Sequence, residues 1–260
     1  MIFTDTHTHL YSEEFENDRT EMIQRAIDAG VSRFFIPSID STYTQKMYEL
    51  EAQFPQNIFL MMGLHPCYVK PDTYLAELAH VETELAKRKF QAIGEIGIDL
   101  YWDKTTLAIQ QEAFRRQIQW AKKYQLGINI HCRDAFDEVF ELLESEQSED
   151  LFGIFHCFTG DFEQAQRAIN LNMKLGIGGV ATFKNGKIDQ FLKEIDLQHI
   201  VLETDSPYLA PVPHRGKANL PQYVREVAEY VASLRGASYE QLAEQTTANF
   251  KRLFPLARVA

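Results

Sequence analysis

Cysteine is scarce in this chain: only Cys67, Cys132 and Cys157 occur, with no C-x-x-C pair among them. An odd, scattered set excludes a disulfide framework and a thiolate zinc site, and fits a reducing compartment. Also lacking is any apolar run approaching the ~20 residues that cross a bilayer. Stretches such as Phe59-Leu60-Met61-Met62 are far shorter, so no membrane span is expected. No basic stretch followed by an apolar one precedes Asp5, which reads as the absence of a secretory signal and points to the cytoplasm. Positive charge is in deficit, with 26 Lys and Arg against 37 Asp and Glu and a net charge of -11. That balance excludes a protein that coats duplex nucleic acid through many phosphate contacts, so any nucleic-acid contact must be local. Low-complexity stretches are missing too, and a chain of 260 residues with 45% hydrophobic content can bury a large core. Residues 1–260 are therefore expected to form one domain. No feature of the sequence identifies a protein partner.

What is present is a repeated alternation. Short apolar runs rich in β-branched and aromatic residues separate longer amphipathic stretches, the pattern of buried parallel strands joined by helices. Strands are expected at 2–6, 31–37, 58–64, 92–96, 127–131, 152–156, 173–177 and 199–203. The first helix opens with Asp18-Arg19-Thr20-Glu21 as a capping box, buries Met22, Ile23, Ala26 and Ile27, and stops at Gly30. A second runs from Thr106 to Tyr124 with Phe114, Ile118 and Ala121 on one face. Pro221 opens a late helix, and Ser238-Tyr239-Glu240-Gln241 caps the last. Such strand-helix units in this length predict an α/β fold, the (β/α)8 TIM barrel of metal-dependent hydrolase type, whose catalytic residues sit at the C-terminal strand ends.

Those ends carry the chemistry. The first offers Asp5-x-His7-x-His9, which strand alternation turns to one side. Taken alone, H-x-H reads equally well as a polar strand end. The fourth strand adds Glu95, the fifth His131, the sixth His156 and the eighth Asp205, all at one level of the barrel. Imidazole and carboxylate donors suit zinc, manganese or magnesium, and one carboxylate can span two ions. The expected partition is His7, His9, Glu95 and Asp205 around a first ion, and Glu95, His131 and His156 around a second. Asp5 and Glu203 are expected to support these ligands from behind, Asp5 by receiving an imidazole N–H. Cys132 and Cys157 follow two of the proposed ligands and are expected to point outward into the core.

A pair of ions about 3.5 to 4 Å apart lowers the pKa of a water and clamps in-line displacement at phosphorus. Asp205 is the candidate to take that water's proton, and Glu95 the bridge on which the pair depends. His65, Arg133 and Arg215, with Lys184 and Lys217, are candidates to hold phosphate oxygens, although each also reads as a solvated surface charge. Tyr101, Trp102 and Tyr208 are candidates to stack a base or simply to pack. His80 and His199 read as structural, and His214 is left open.

The segments Thr4-Asp5-Thr6-His7-Thr8-His9, Gly63-Leu64-His65-Pro66, Gly94-Glu95-Ile96-Gly97-Ile98-Asp99, His131-x-Arg133, His156-x-Phe158 and Glu203-Thr204-Asp205-Ser206-Pro207-Tyr208-Leu209 appear in this order. Together they resemble the TatD family of metal-dependent deoxyribonucleases, within the wider amidohydrolase-like barrels, over nearly the whole chain. The resemblance implies that His7, His9, Glu95, His131, His156 and Asp205 are the metal positions and that His65 and Arg133 contact phosphate. It implies magnesium-dependent 3′-5′ exonuclease action on DNA ends, with single strands as partner. His214 and Cys67 depart from what relatives commonly carry. Rival readings keep the metal site but cleave amides or deacylate aminoacyl-tRNA, or keep the barrel as a scaffold without turnover.

Overall fold

The computed structural model describes residues 2–254. Eight parallel strands run as β1 Phe3–Asp5, β2 Val31–Ile36, β3 Ile58–Leu60, β4 Ala92–Asp99, β5 Gly127–Arg133, β6 Gly153–Phe155, β7 Met173–Ile177 and β8 Ile200–Leu202. They pair in chain order as β1-β2-β3 and β4-β5-β6-β7-β8. The two groups are joined at β3 and β4, where the Met62 N–H donates to the Ala92 carbonyl (3.1 Å) and the Gly94 N–H to that of Met62 (3.0 Å). At the other seam the Thr6 N–H donates to the Leu202 carbonyl (3.1 Å), His9 N–H to Ser206 (2.8 Å) and Asp205 N–H to His7 (2.9 Å). This is the barrel expected from the sequence, with the last seam made by the very residues that follow β1 and β8.

Helices cover the outside: α1 Arg19–Asp28, α2 Thr44–Gln53, α3 Tyr74–Lys87, α4 Leu107–Tyr124, α5 Phe136–Ser145, α6 Phe162–Asn170, α7 Val224–Arg235 and α8 Tyr239–Leu253. Strict alternation fails once. Between β7 and β8 the chain makes only short 3-10 turns, and both α7 and α8 follow β8. The last helix closes the barrel floor, where Phe250, Leu253 and Phe254 pack on Phe35, Phe59, Met61, Ala92, Ile154 and Val201. Those strand residues alternate with Phe34, Ile58, Leu60, Ile93, Phe155 and Leu202 of the outer core, as period two requires. No helix among the described residues is long and apolar enough to cross a membrane.

The helix caps are partly as expected. Ser238 and Gln241 form both bonds of a capping box, and so do Asp161 and Gln164, which the sequence reading did not anticipate. Asp18 does not cap α1; its carboxylate is pulled aside by the Arg25 guanidinium (3.1 Å). Pro221 starts a 3-10 turn that leads into α7. On α4, buried Gln110 and Gln117 clamp the strand ends: Gln117 bonds the Leu64 N–H (2.7 Å) and carbonyl (3.2 Å), and Gln110 bonds the Asp99 N–H (2.8 Å) and carbonyl (3.1 Å).

β4 breaks register with β5 between Ile93 and Ile96. A bulge of this kind re-aims side chains beside functional sites. Gly97 completes it at φ +143°, where a Cβ would overlap the His131 carbonyl oxygen. Neither the left-handed angle nor the clash can be relieved locally. Gly97→Ala is expected to lower unfolding free energy by about 2–4 kcal/mol in urea titration, whereas Gly236→Ala, at φ +64° with open space around it, should cost about 1 kcal/mol.

Candidate metal centre

At the C-terminal strand ends six side chains from five strands converge: His7 and His9 after β1, Glu95 on β4, His131 on β5, His156 after β6 and Asp205 after β8. The hub is Glu95, which is buried. Its Oε2 faces His7 Nε2 (3.2 Å) and His9 Nε2 (3.6 Å), and its Oε1 faces His131 Nδ1 (2.9 Å), His156 Nε2 (3.2 Å) and His65 Nε2 (3.2 Å). Asp205 Oδ1 closes the first set, 3.3 Å from His9 Nε2 and 3.7 Å from His7 Nε2.

The tautomers follow from what lies behind each ring. The His9 Nδ1–H donates to the Tyr11 hydroxyl (2.8 Å), because that hydroxyl donates in turn to the Pro37 carbonyl (2.9 Å). The His7 Nδ1–H donates to Asn129 Oδ1 (2.7 Å). Both Nε2 atoms therefore present lone pairs, at 3.2 Å from each other and beside a Glu95 Oε2 that is buried with no hydrogen-bond partner. Lone pairs so placed repel one another unless a cation sits between them, and this donor set fits a divalent metal ion. His156 likewise gives its Nδ1–H to Glu203 Oε1 (3.2 Å), and His131 its Nε2–H to Asp99 Oδ2 (2.8 Å). Each of the four rings thus has a fixed outer partner and an inner nitrogen aimed at the centre, the arrangement that orients metal-bound imidazoles.

His65 stands differently. Its Nδ1 accepts the Cys67 backbone N–H (3.0 Å), so its Nε2 carries the proton and acts as a donor toward Glu95. Distance alone would admit it as a ligand beside Glu95 and His131; the network makes it a donor to an anionic oxygen.

Charge in the centre is tightly balanced. Burial works against the Glu95 carboxylate, yet His65, His156, His7 and the His131 bond hold it well below the usual carboxylate range. Burial opposes the Asp205 charge too, and His9, His156 and His7 overcome it. Burial pushes His7 down, so it stays neutral. For His156 burial is outweighed by Glu95 and Glu203, which raise it well above the imidazole range. Asp99, despite partial burial, is brought to about 2, chiefly by the His131 bond.

Two expectations, for Asp5 and for Cys157, need correction. Asp5 meets no imidazole: it shares register with Phe34 of the outer core and accepts from the Thr204 N–H (2.9 Å) and hydroxyl (2.5 Å), tying β1 to the end of β8. The alternation argument failed because β1 ends at Asp5, before His7. Asn129 holds the position expected of Asp5. Cys132 packs against the core from β5 as expected, but Cys157 lies beyond β6 at φ 42°, where strand alternation no longer applies. Burial and then the charges of Asp205, Glu203 and Glu95 raise its thiol, and its N–H donates to Glu203 Oε1 (2.5 Å). Arg133 and Arg215 stay on the rim, their guanidinium carbons 3.7 Å from the Tyr101 and Phe183 ring centroids. His214 turns from the site to stack on Tyr223 (3.9 Å). His80 bonds Thr44, and His199 lies just before β8 at the opposite end of the barrel.

Tyr11, Asn129 and Asp99 were missed. Each had a signal, since each lies two or four residues from a proposed ligand: Tyr11 from His9, Asn129 from His131, Asp99 from Glu95. Asn129→Ala and Asp99→Asn are each expected to weaken metal binding about 10- to 100-fold in calorimetric titration, while the fold, followed by circular dichroism, is retained.

A barrel with a buried imidazole and carboxylate centre at its C-terminal strand ends is the architecture of a metal-dependent hydrolase. Residues 4–255 match the family described as TatD related DNase. The Bacillus subtilis protein named uncharacterized metal-dependent hydrolase YabD is 41% identical over 98% of this chain and 99% of its own length. The similarly named YcfH of Escherichia coli K12 is 34% identical over 98% of this chain and 96% of its own. The crystal structure of YjjV, a TatD homologue from Escherichia coli K12, is 29% identical with a TM-score of 0.89, covering 97% of this chain and 98% of that one. The chain belongs to the TatD family of metal-dependent hydrolases.

Proposed function

We propose that the centre hydrolyses phosphodiester bonds at the ends of single-stranded DNA, removing nucleotides from the 3′ end, with a pair of divalent ions bound. The observation that carries this reading is the division of Glu95, one oxygen toward His7 and His9 and the other toward His131 and His156. Magnesium, manganese or zinc suits such donors. A bound ion pair would neutralise charge on a phosphoryl group and lower the pKa of a water.

The chain's own groups divide the remaining work. Asp205, held ionised at the rim of the centre, takes the proton of the attacking water. Where Glu95 would serve the ions, the His65 Nε2–H that faces it here is free to donate to a non-bridging phosphate oxygen, a contact that strengthens as charge develops there. Arg133, braced on Tyr101, presents its guanidinium to a neighbouring phosphate. With a net charge of -11, the chain leaves duplex binding weak, so selectivity falls on strand ends that enter the pocket. The family's DNase name supports DNA as the substrate, and the polarity is the one that the sequence resemblance implies.

Stripping the protein with chelator and restoring manganese or magnesium should switch hydrolysis off and on. Strands labelled at their 5′ end should shorten stepwise, while those labelled at the 3′ end lose label in the first turnover. Turnover of a cyclic amide or an aminoacyl-tRNA in parallel, with oligonucleotides untouched, would contradict the proposal.

A further inference from the structure

Beside the centre lies a groove of about 350 Å³, lined by Pro66, Cys67, Tyr68, Lys70, Asp99 and Trp102 together with the first turn of α4. Its volume falls at the lower end of the range for small-molecule sites, about 300–1,000 Å³. Asp99 joins it to the metal centre, because the carboxylate on the groove floor is the one that holds His131 (2.8 Å). An occupant would therefore sit one side chain away from the reacting groups.

The walls are aromatic and unpacked. Among the described residues the exposed aromatic side chains are Tyr68 at 38%, Tyr101 at 53%, Trp102 at 70% and Tyr208 at 54%. All four lie on loops that follow β3, β4 or β8, on the catalytic rim. Core packing does not explain rings left this open, and exposed apolar surface gathered on one rim marks a binding face. Trp102 meets Tyr101 at right angles, 4.9 Å between centroids, and the Arg133 guanidinium lies over both rings, 3.7 Å from the Tyr101 centroid and 5.5 Å from that of Trp102. Lys70 lines the same groove as Cys67 and Asp103 and adds positive charge there. Flat rings flanked by cations in an otherwise acidic protein match a base carried on phosphates, since every base offers a π-face whatever its sequence.

We infer that this groove is a stacking subsite for the base next to the scissile phosphodiester of a single strand, with Trp102 as the platform, Lys70 and Arg133 holding the adjoining phosphates. This rests on the nuclease reading above and adds the place where the strand is gripped. It requires an unpaired base, so a strand lacking bases should lose the contact while keeping every phosphate.

Trp102 can report on its own occupancy once the partly buried Trp120 is replaced. In a Trp120→Phe background, a thymine tetranucleotide added in chelator should quench the indole emission, and an abasic tetranucleotide of equal length should not. With manganese restored, adding Trp102→Ala should lower kcat/KM for the tetranucleotide relative to that for bis(p-nitrophenyl) phosphate by roughly 5- to 100-fold, mainly through KM. Equal quenching by the abasic strand, no quenching at all, or an unaltered ratio of the two kcat/KM values would overturn the subsite. If base-dependent quenching occurs but the manganese enzyme cuts no strand, the groove stands and the nuclease reading falls. If strands are cut and Trp102 stays silent in both measurements, the groove falls alone.

Discussion

Glu95→Gln should leave a folded barrel that holds at most about one divalent ion per chain, where the unaltered protein holds about two, and that hydrolyses phosphodiesters about a thousand-fold more slowly. The argument is geometric. Oε2 lies 3.2 Å from His7 Nε2 and Oε1 lies 2.9 Å from His131 Nδ1, so one carboxylate faces both imidazole sets. An amide keeps the size of the side chain but surrenders one acceptor oxygen and the negative charge, and an NH₂ group cannot ligate. Burial makes the loss larger, since no water enters to replace the missing oxygen. Metal analysis by inductively coupled plasma spectroscopy, with circular dichroism to confirm folding, checks this; two ions retained per chain would remove Glu95 as the bridge.

Asp205→Asn should reduce turnover by about 10²- to 10⁴-fold while KM for an oligonucleotide changes by only a few-fold. Asp205 sits at φ 59° with Oδ1 3.3 Å from His9 Nε2, at the open side of the first donor set. Asn is the conservative replacement here, as it tolerates that left-handed backbone and preserves the side-chain shape. What it cannot do is accept a proton. Single-turnover kinetics separate binding from chemistry, and a rate unchanged from that of the unaltered protein would assign proton acceptance elsewhere.

Much of this was legible beforehand. The strands were marked by their apolar runs, and the residues converging on Glu95 were marked by recurrence: His131, His156 and Asp205 each occur where an apolar run gives way to polar residues. Register logic worked where strands are long. On β5 it correctly set Cys132 apart from His131, and it would have found Asn129 had it been carried back two residues. It failed where strands are short. β1 stops at Asp5 and β6 at Phe155, so Asp5 is aimed by its hydrogen bonds to Thr204, and Cys157, at φ 42° with its N–H on Glu203, lies outside the pleat. Long-range partners were beyond a linear reading. Nothing near His9 in the sequence says that Pro37 fixes the Tyr11 hydroxyl, nor does anything near Asp99 indicate the hold of Gln110. The single missing helix between β7 and β8 also escaped notice, because Ile188, Leu192 and Ile195 are buried there and mimic a helical face while making only short turns.

The most direct measurement is anomalous diffraction from crystals of the unaltered protein soaked in manganese. Two peaks flanking Glu95 are expected, one within bonding reach of His7, His9 and Asp205, the other of His131 and His156. A pocket without a peak, or a lone peak served by His65 with Glu95 turned aside, would contradict the account at its centre.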